Sequence, residues 1–221
     1  MIEQVVIIGA GGFGREVQDI FEACNDVTPQ YDILGYLVDK QYGAPCSIIN
    51  DLPILGDLDW LEKHKDVHVI CAVGASHLRW QLIQRVNTIG VSYCNIIHPS
   101  VVMTKRVSLG YGVVITAGCI LTNNIRIGNH VHINLDCTVG HDVVLEDFVT
   151  LSPGVHVSGN VTLREGCYIG TGANIIEKVT IGEWSIVGAG STIITNVPAN
   201  TTVVGVPGKV VKTREKGWHL R

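Results

Sequence analysis

The sequence predicts an N-terminal α/β domain followed by a coil of short parallel β-strands, and two observations support this fold class. Near the N-terminus, the apolar run VVII leads into a glycine-rich turn and then an amphipathic helix. From about residue 95 onward, apolar residues recur every six positions. We expect the domains to cover residues 1–92 and 93–221.

The six-residue repeat predicts the coil. Stepping by six from Leu109 to Ile193 gives fifteen positions, all Leu, Ile or Val. A second column lies two residues earlier, is mostly small or β-branched, and includes Cys119, Cys137 and Cys167. Residues two apart on a strand point to the same side, so each hexad offers two inward side chains. Three hexads make a period of 18 residues, which fits a triangular coil with a continuous core.

The N-terminal turn predicts a nucleotide-binding element. Gly9, Gly11 and Gly14 satisfy G-x-G-x-x-G between a strand and a helix. Backbone N–H groups at such a turn can meet a phosphate or a sugar. Asp39 ends the second strand, where a carboxylate can accept hydrogen bonds from a ribose or a base.

The short length of this domain limits its function. We expect three strands, the third over 68–74, with two or three helices, which is a half-Rossmann-like domain. No room remains for a second mononucleotide-binding half before the repeats begin. An NAD-dependent oxidoreductase is therefore disfavoured.

Composition excludes several other classes of protein. Of 221 residues, 46% are hydrophobic and 16% charged, with a net charge of −4. Such a chain has a large core and lacks the basic surface that nucleic acid would need. No apolar stretch reaches the roughly 20 residues of a membrane span. The seven cysteines show no CxxC spacing, and the N-terminus does not resemble a signal peptide. Both observations predict reduced thiols and a cytoplasmic protein.

Several segments together resemble one family. They are the glycine turn, GYLVD ending at Asp39, LPILGD (52–57), VGASHLR (73–79), the repeat and GVPGK (205–209). They resemble the hexapeptide-repeat bacterial sugar acetyltransferases, which include sialic acid O-acetyltransferases and nucleotide-linked 4-amino-sugar N-acetyltransferases. The resemblance covers nearly the whole chain. It implies a left-handed parallel β-helix, acetyl-CoA as co-substrate without a metal, and CoA bound along the coil between subunits of a homotrimer.

The resemblance also implies a reaction. We expect acetyl transfer to the amine of a nucleotide-linked 4-amino-4,6-dideoxy sugar, for bacterial surface glycan biosynthesis. One alternative is O-acetylation of sialic acid or a related sugar hydroxyl, and another is a non-catalytic nucleotide-sugar-binding protein. A γ-carbonic-anhydrase-like zinc site is disfavoured. Its histidines should be separated by multiples of 18, whereas His132, His141 and His156 are separated by 9, 15 and 24 residues.

His141 is the candidate catalytic base. Acetyl transfer needs a base for the acceptor's proton and a donor for the thioester oxyanion. His141 lies outside both inward columns, and Asp142 beside it can fix the imidazole tautomer. The resemblance places the family's base at His141 and its partner at Asp142. His132 and His156 each precede a core position and are expected to point outward from their strands, with His132 as a surface residue.

The remaining site residues rest on the resemblance. It implies that the N–H of Gly159 meets the thioester carbonyl, although Gly159 could instead be a corner glycine with positive φ. It also implies that Asn134 faces the acceptor, and that Leu135 and Phe13 stand where relatives often carry histidine. The implied acceptor-binding set is Gly11, Gly12, Phe13, Gly14, Asp39 and Asn134, and the implied CoA-binding set is Gly159, Thr171, Ala189, Gly190, Pro207 and Lys209.

Overall fold

The computed structural model describes residues 2–42 and 45–220 of the chain. Its N-terminal part is one sheet with helices on both sides. The strands are β1 (Glu3–Ile8), β2 (Tyr31–Leu37), β3 (Ile48–Ile49), β4 (Leu52–Gly56), β5 (His68–Cys71) and β6 (Ser92–Tyr93). The helices are α1 (Gly12–Val27), α2 (Ser76–Asn87) and a 3₁₀ helix at Leu58–Lys63.

The sheet is larger than the sequence predicted. Its strand order is β3-β4-β2-β1-β5-β6, with β3 antiparallel to β4 and the other pairs parallel. The prediction of three strands was therefore wrong. The additional strands are hard to recognise from sequence, because β3 and β6 have two residues each and β4 contains Pro53.

The C-terminal part is the predicted left-handed β-helix. Its strands are β7 (Ile96–Ile97), β8 (Val102–Met103), β9 (Val107–Leu109), β10 (Val114–Ile115), β11 (Ile120–Leu121), β12 (Ile125–Ile127), β13 (His132–Ile133), β14 (Thr138–Val139), β15 (Val144–Leu145), β16 (Thr150–Leu151), β17 (His156–Val157), β18 (Thr162–Leu163), β19 (Tyr168–Ile169), β20 (Asn174–Ile175), β21 (Thr180–Ile181), β22 (Ile186–Val187), β23 (Thr192–Ile193), β24 (Thr201–Val204) and β25 (Lys209–Thr213). A 3₁₀ turn at Trp218–Leu220 follows.

These strands form three parallel faces. The first face holds every third strand from β7 to β22 and then β24, with β25 added antiparallel at its end. The second face runs from β8 to β23 and the third from β9 to β21. From β7 to β23, paired residues are 18 apart, as in His132 with Thr150, which confirms the predicted period. The two sequence columns form the core inside, including Cys119, Cys137 and Cys167 at 0% exposure.

Each corner of the coil turns on a residue with positive φ. Between the first and second faces this residue is mostly glycine, and between the second and third it is Asn124, Asp142, Asn160 or Lys178. These types, apart from Lys178, are the ones that tolerate the left-handed region best. At the corner between the third and first faces, the residues with positive φ include His130, Phe148 and Trp184. Phe148 and Trp184 pack with α2 and β5 in one hydrophobic cluster, so this corner carries the N-terminal domain.

Arg79 of α2 joins the two domains. Its side chain is fully buried, and it donates to the carbonyls of His130 (2.9 Å) and Phe148 (2.8 Å) and to the hydroxyl of Thr150 (2.8 Å) on the coil. It also donates to the carbonyl of Val73, at 2.8 Å, in the β5–α2 loop. Burial lowers the pKa of Arg79 to about 10, so the guanidinium stays charged at neutral pH and these bonds are charge-assisted.

We predict that Arg79→Met lowers the free energy of unfolding by roughly 3 kcal/mol or more. The change deletes several charge-assisted hydrogen bonds and leaves buried carbonyls without donors. Denaturant unfolding of both proteins at one chain concentration measures the loss. Arg106→Met, at an exposed position, is the matched control and should change the free energy of unfolding by less than about 0.5 kcal/mol. Equal stability of the two variants would contradict the role given to Arg79.

Candidate active site

The glycine-rich turn has the geometry that the motif predicts. Gly9 follows β1 with φ of 102°, and α1 begins at Gly12 after Gly11, which gives the helix no side-chain cap. A Cβ on Gly14 would lie 2.0 Å from the carbonyl oxygen of Gly9, so the third glycine permits close packing of helix on strand. The first N–H groups of α1 are thus open to an anionic ligand.

A cavity of about 770 Å³ lies beside this turn. It is lined by Gly11, Gly12 and Phe13 of the turn, by Asp39 after β2, and by residues of the β5–α2 segment. Its volume falls in the range of small-molecule sites. Five of the six predicted acceptor-binding residues are at the turn or after β2, and four of these line the cavity. Gly14 is instead buried in the packing of α1.

Asn134 lies apart from that cavity, on the coil. Its side chain is 9% exposed, and its Nδ2 donates to the carbonyl of Leu151 at 2.8 Å. The described lining of the cavity contains no coil residue. Within one chain, the predicted acceptor-binding residues therefore fall into two separate places.

His141 and Asp142 form a hydrogen-bonded pair at the corner between the second and third faces. His141 Nδ1 lies 2.8 Å from Asp142 Oδ2, and the two side chains are 61% and 45% exposed. The hydrogen bond from His141, with a second from Asn124 Nδ2 at 3.3 Å, lowers the pKa of Asp142. The carboxylate therefore stays ionised and accepts the Nδ1 proton. This leaves the lone pair on His141 Nε2 to take a proton from a substrate.

Gly159 packs under the imidazole of His141, one rung further along the same corner. A Cβ at Gly159 would lie 2.6 Å from both Cε1 and Nε2 of His141. Gly159 does not have positive φ; Asn160 takes the left-handed conformation there, with φ of 59°. The alternative of a conformationally required corner glycine is therefore wrong. Glycine is needed at this position because the histidine ring occupies the space of a side chain.

Apart from Gly159, the predicted CoA-binding residues follow another corner, between the first and second faces, or the loop at the end of the coil. Thr171 and Gly190 lie on consecutive rungs, where the N–H of Gly190 donates to the carbonyl of Thr171 at 2.8 Å. Thr171, Ala189 and Gly190 are all exposed. The loop with Pro207 and Lys209 is held against the end of the coil by Gly208, whose N–H donates to the carbonyl of Thr192 at 2.8 Å. This corner and that of His141 are the two edges of the second face.

The expectation that His132 is a surface residue was wrong. Its ring is at 0% exposure, because Phe13 of the glycine turn covers it with ring centroids 5.1 Å apart. Arg79 donates to its Nδ1 at 3.1 Å. Burial and the charge of Arg79 lower the pKa of His132 well below its ordinary value, so it is neutral and unavailable to solvent. His156 is exposed as expected, with Nδ1 2.8 Å from the hydroxyl of Thr138.

Sequence reasoning missed Arg79 and Arg85. A signal for Arg79 exists, because it occupies the buried face of α2 together with Ser76, Ile83 and Val86. A charged residue in an apolar stripe marks a buried polar contact. Arg85 lines the 770 Å³ cavity, and nothing in its local pattern distinguishes it from a solvated helix residue.

The described residues contain no cluster of three or more His, Cys, Asp or Glu placed to hold a metal ion. In the same residues, no helix has the length and apolar character required to cross a bilayer.

The fold and this site define a hexapeptide-repeat acyltransferase with an added nucleotide-binding-like domain. The PglD N-terminal domain profile matches residues 4–86, and the bacterial transferase hexapeptide (six repeats) profile matches residues 160–195. The chain belongs to the hexapeptide-repeat sugar acetyltransferases whose first domain is of the PglD type. A search of curated proteins by sequence gave no significant match.

Three solved structures illustrate the similarity. A histidine-to-asparagine variant of perosamine N-acetyltransferase from Caulobacter crescentus, solved with CoA and GDP-perosamine, shares 31% identity. It matches over 96% of this chain and 98% of its own, with a TM-score of 0.86. The acetyltransferase domain of PglB from Neisseria gonorrhoeae, solved with acetyl coenzyme A, shares 29% identity. It matches over 96% of this chain and 100% of its own, with a TM-score of 0.86. WeeI from Acinetobacter baumannii shares 31% identity and matches over 95% of this chain and 100% of its own, with a TM-score of 0.84.

We predict that Gly159→Ala lowers kcat for acetyl transfer by about 10²-fold, the cost of misplacing a catalytic group by about 1 Å. The new methyl group would meet the imidazole of His141 at 2.6 Å, so the ring must move. Initial rates at saturating acetyl-CoA measure the loss. The unfolding midpoint should stay within a few degrees of the wild type, because the backbone of Gly159 suits any residue. Wild-type kcat in this variant would show that the position of the His141 ring does not limit catalysis.

Proposed function

We propose that this protein transfers the acetyl group of acetyl-CoA to the 4-amino group of a nucleotide-linked 4-amino-4,6-dideoxy sugar, in the cytoplasm, for bacterial surface glycan biosynthesis. The observation that carries the proposal is the His141–Asp142 pair packed over Gly159, at the outside of a coil built like those of sugar N-acetyltransferases. The full-length similarity to an enzyme solved with CoA and GDP-perosamine supports an amine acceptor.

The His141–Asp142 pair suits the proton transfer of this reaction. The acceptor amine attacks the thioester carbon, and the nitrogen of the tetrahedral intermediate becomes acidic. His141 Nε2 takes this proton, while Asp142 holds the other nitrogen protonated and stabilises the imidazolium. As the intermediate collapses, the C–S bond breaks and the imidazolium returns the proton to the thiolate of CoA. The products are the amide and free CoA, without a covalent enzyme intermediate.

Gly159 is the proposed donor to the oxyanion. Its N–H has no hydrogen-bond acceptor among the residues that the structure describes, and it lies beside the ring of His141. A backbone donor fixed next to the base can stabilise the charge that develops on the thioester oxygen. Thr171, Ala189 and Gly190 would bind the pantetheine arm through backbone groups, and Lys209 would face the phosphates of CoA.

The cavity beside the glycine turn is the proposed acceptor site. The N–H groups at the start of α1 would bind the diphosphate, and Asp39 would bind the nucleoside. Asn134, on the coil, would present its Oδ1 to the amino sugar.

A homotrimer would bring the two parts of this site together. His141 stands at the corner between the second and third faces, while the N-terminal domain covers the corner between the third and first. Exposed apolar side chains lie on later rungs along the same corner as His141: Ile176 is 36% exposed and Ile194 is 47% exposed. We propose that a parallel neighbouring coil covers them, so that the cavity of one subunit faces the base of the next.

A panel of acceptors tests the proposed reaction. Acetyl transfer is measured by release of free CoA with UDP-, dTDP- and GDP-linked 4-amino sugars and with sialic acid. Turnover is expected with a nucleotide-linked amino sugar. Turnover with sialic acid alone would favour O-acetylation, and failure to bind acetyl-CoA would favour a non-catalytic nucleotide-sugar-binding protein.

With the active acceptor, we predict that His141→Ala lowers kcat by roughly 10²–10⁴-fold and leaves the Kd of acetyl-CoA nearly unchanged. Asp142→Asn should lower kcat by a smaller factor, because the imidazole itself remains. In the wild type, kcat/KM should fall toward acid pH. The lowered pKa of Asp142 keeps its carboxylate ionised there, so protonation of this carboxylate does not cause the loss. His64→Ala, at an exposed histidine outside the site, is the control. If His141→Ala keeps more than about a third of wild-type kcat, another group is the base.

The assembly is tested by light scattering at micromolar concentration. We predict a mass three times that of the 23.9 kDa chain. Ile176→Asp combined with Ile194→Asp should shift the population toward monomer and lower kcat, because charges would be buried at the contact. A stable wild-type monomer with full activity would contradict the shared site.

A further inference from the structure

The cavity beside the glycine turn contains two charged side chains of opposite sign. Asp39 and Arg85 are the charged residues in its described lining. Arg85 Nη1 lies 3.8 Å from Asp39 Oδ1, which is longer than a hydrogen bond. Within residues 2–42 and 45–220, no hydrogen bond joins either side chain to another group. The acceptor oxygens of Asp39 and the donors of Arg85 are therefore available side by side to a ligand.

The rest of the lining suits a flat, partly apolar ligand group. Val38 and Leu58 are buried in the wall next to the charged pair, and Leu82 adds to the apolar surface. Tyr42 and Leu78 line the same cavity while 76% and 45% exposed, so a ligand would cover apolar surface that is now in water. A nucleobase has this character, with apolar faces and a polar edge.

The arrangement of donors and acceptors distinguishes the bases. Guanine presents O6, an acceptor, next to two parallel donors, N1–H and the N2 amino group. A carboxylate accepts both donors at once, and a guanidinium donates to O6. Uracil and thymine present only one donor, N3–H, between two carbonyls, so the second carboxylate oxygen would face O2. Adenine offers no carbonyl to an arginine, and its N1 would face the carboxylate as an acceptor.

We propose that Asp39 and Arg85 read the nucleobase of the acceptor and select guanine. The proposal rests on the function proposed above and specifies its substrate as a GDP-linked amino sugar. Asp39 accepts N1–H and the N2 amino group, and Arg85 donates to O6. The two charges compensate each other, so a neutral base is recognised without leaving a net charge in the site.

Binding of free nucleotides to the full-length protein tests base selection independently of catalysis. Isothermal titration with GDP, UDP and dTDP should give roughly 10- to 100-fold tighter binding of GDP, the range expected for one bidentate base contact. Equal binding of GDP and UDP with weaker dTDP would show that Asp39 contacts the ribose 2′-OH, and would overturn the proposal. Tighter binding of UDP or dTDP would also overturn it.

A change of specificity gives a sharper test. Asp39→Asn should bind xanthosine diphosphate more tightly than GDP, because the amide can donate to the xanthine O2 and accept N1–H. Arg85→Met should weaken GDP binding about tenfold, the lower end for a lost base contact, and leave UDP binding less affected. Asp32→Asn, on strand β2 before Asp39 and outside the cavity, is the matched control and should keep the wild-type preference. Retention of GDP preference in Asp39→Asn would refute the readout.

Failure of this inference is distinguishable from failure of the proposed function. If a UDP- or dTDP-linked amino sugar is acetylated and its nucleotide binds more tightly than GDP, the proposed reaction is supported and the selection of guanine is refuted. If GDP binds selectively while no amino sugar is acetylated, recognition of guanine by Asp39 and Arg85 is supported and the proposed reaction is refuted.

Discussion

The contacts of Arg79 fix the relation between the two domains, and the site depends on that relation. One fully buried guanidinium donates to carbonyls on two rungs of the coil and to the loop that follows β5. The same loop lines the cavity, and Arg79 also holds His132 beneath Phe13 of the glycine turn. Because no carboxylate pairs with this charge in the described residues, backbone dipoles stabilise it, and they are rigid partners.

The corners of the coil show how one repeat serves three purposes. At two corners, small or polar residues take the positive φ that the turn needs, and the outward neighbours remain exposed. At the third corner, Phe148 and Trp184 adopt the same conformation, which is unusual for bulky residues. Burial against α2 and the C-terminal segment offsets this cost; the ring of Trp184 stacks on His219 at 3.7 Å. The docking corner is therefore distinguished by side-chain size and not by the backbone.

The two chemical tasks of the proposed reaction fall on different edges of the molecule. In that proposal, proton transfer would belong to His141 and Asp142, whose geometry depends on local turns and on Asn124 and Gly159 one rung to either side. Acceptor recognition would belong to the cavity of the N-terminal domain. This division lets the coil keep one catalytic arrangement while the other domain changes its ligand through a few lining residues such as Asp39 and Arg85.

The sequence alone determined the coil, its 18-residue period, its core columns and the glycine turn, because each depends on local periodicity or on a backbone conformation that few residues adopt. It also identified the adjacent pair His141 and Asp142, which interact through neighbouring positions. Only the tertiary structure decided that His132 is buried, that Gly159 accommodates a histidine ring, and that Arg79 joins the domains. These contacts link residues far apart in the chain, as Arg79 and Phe148 are, and a local pattern carries no information about which surfaces meet. The same reason explains why β4 became a strand: parallel pairing with β2 stabilises a segment whose proline argues against it.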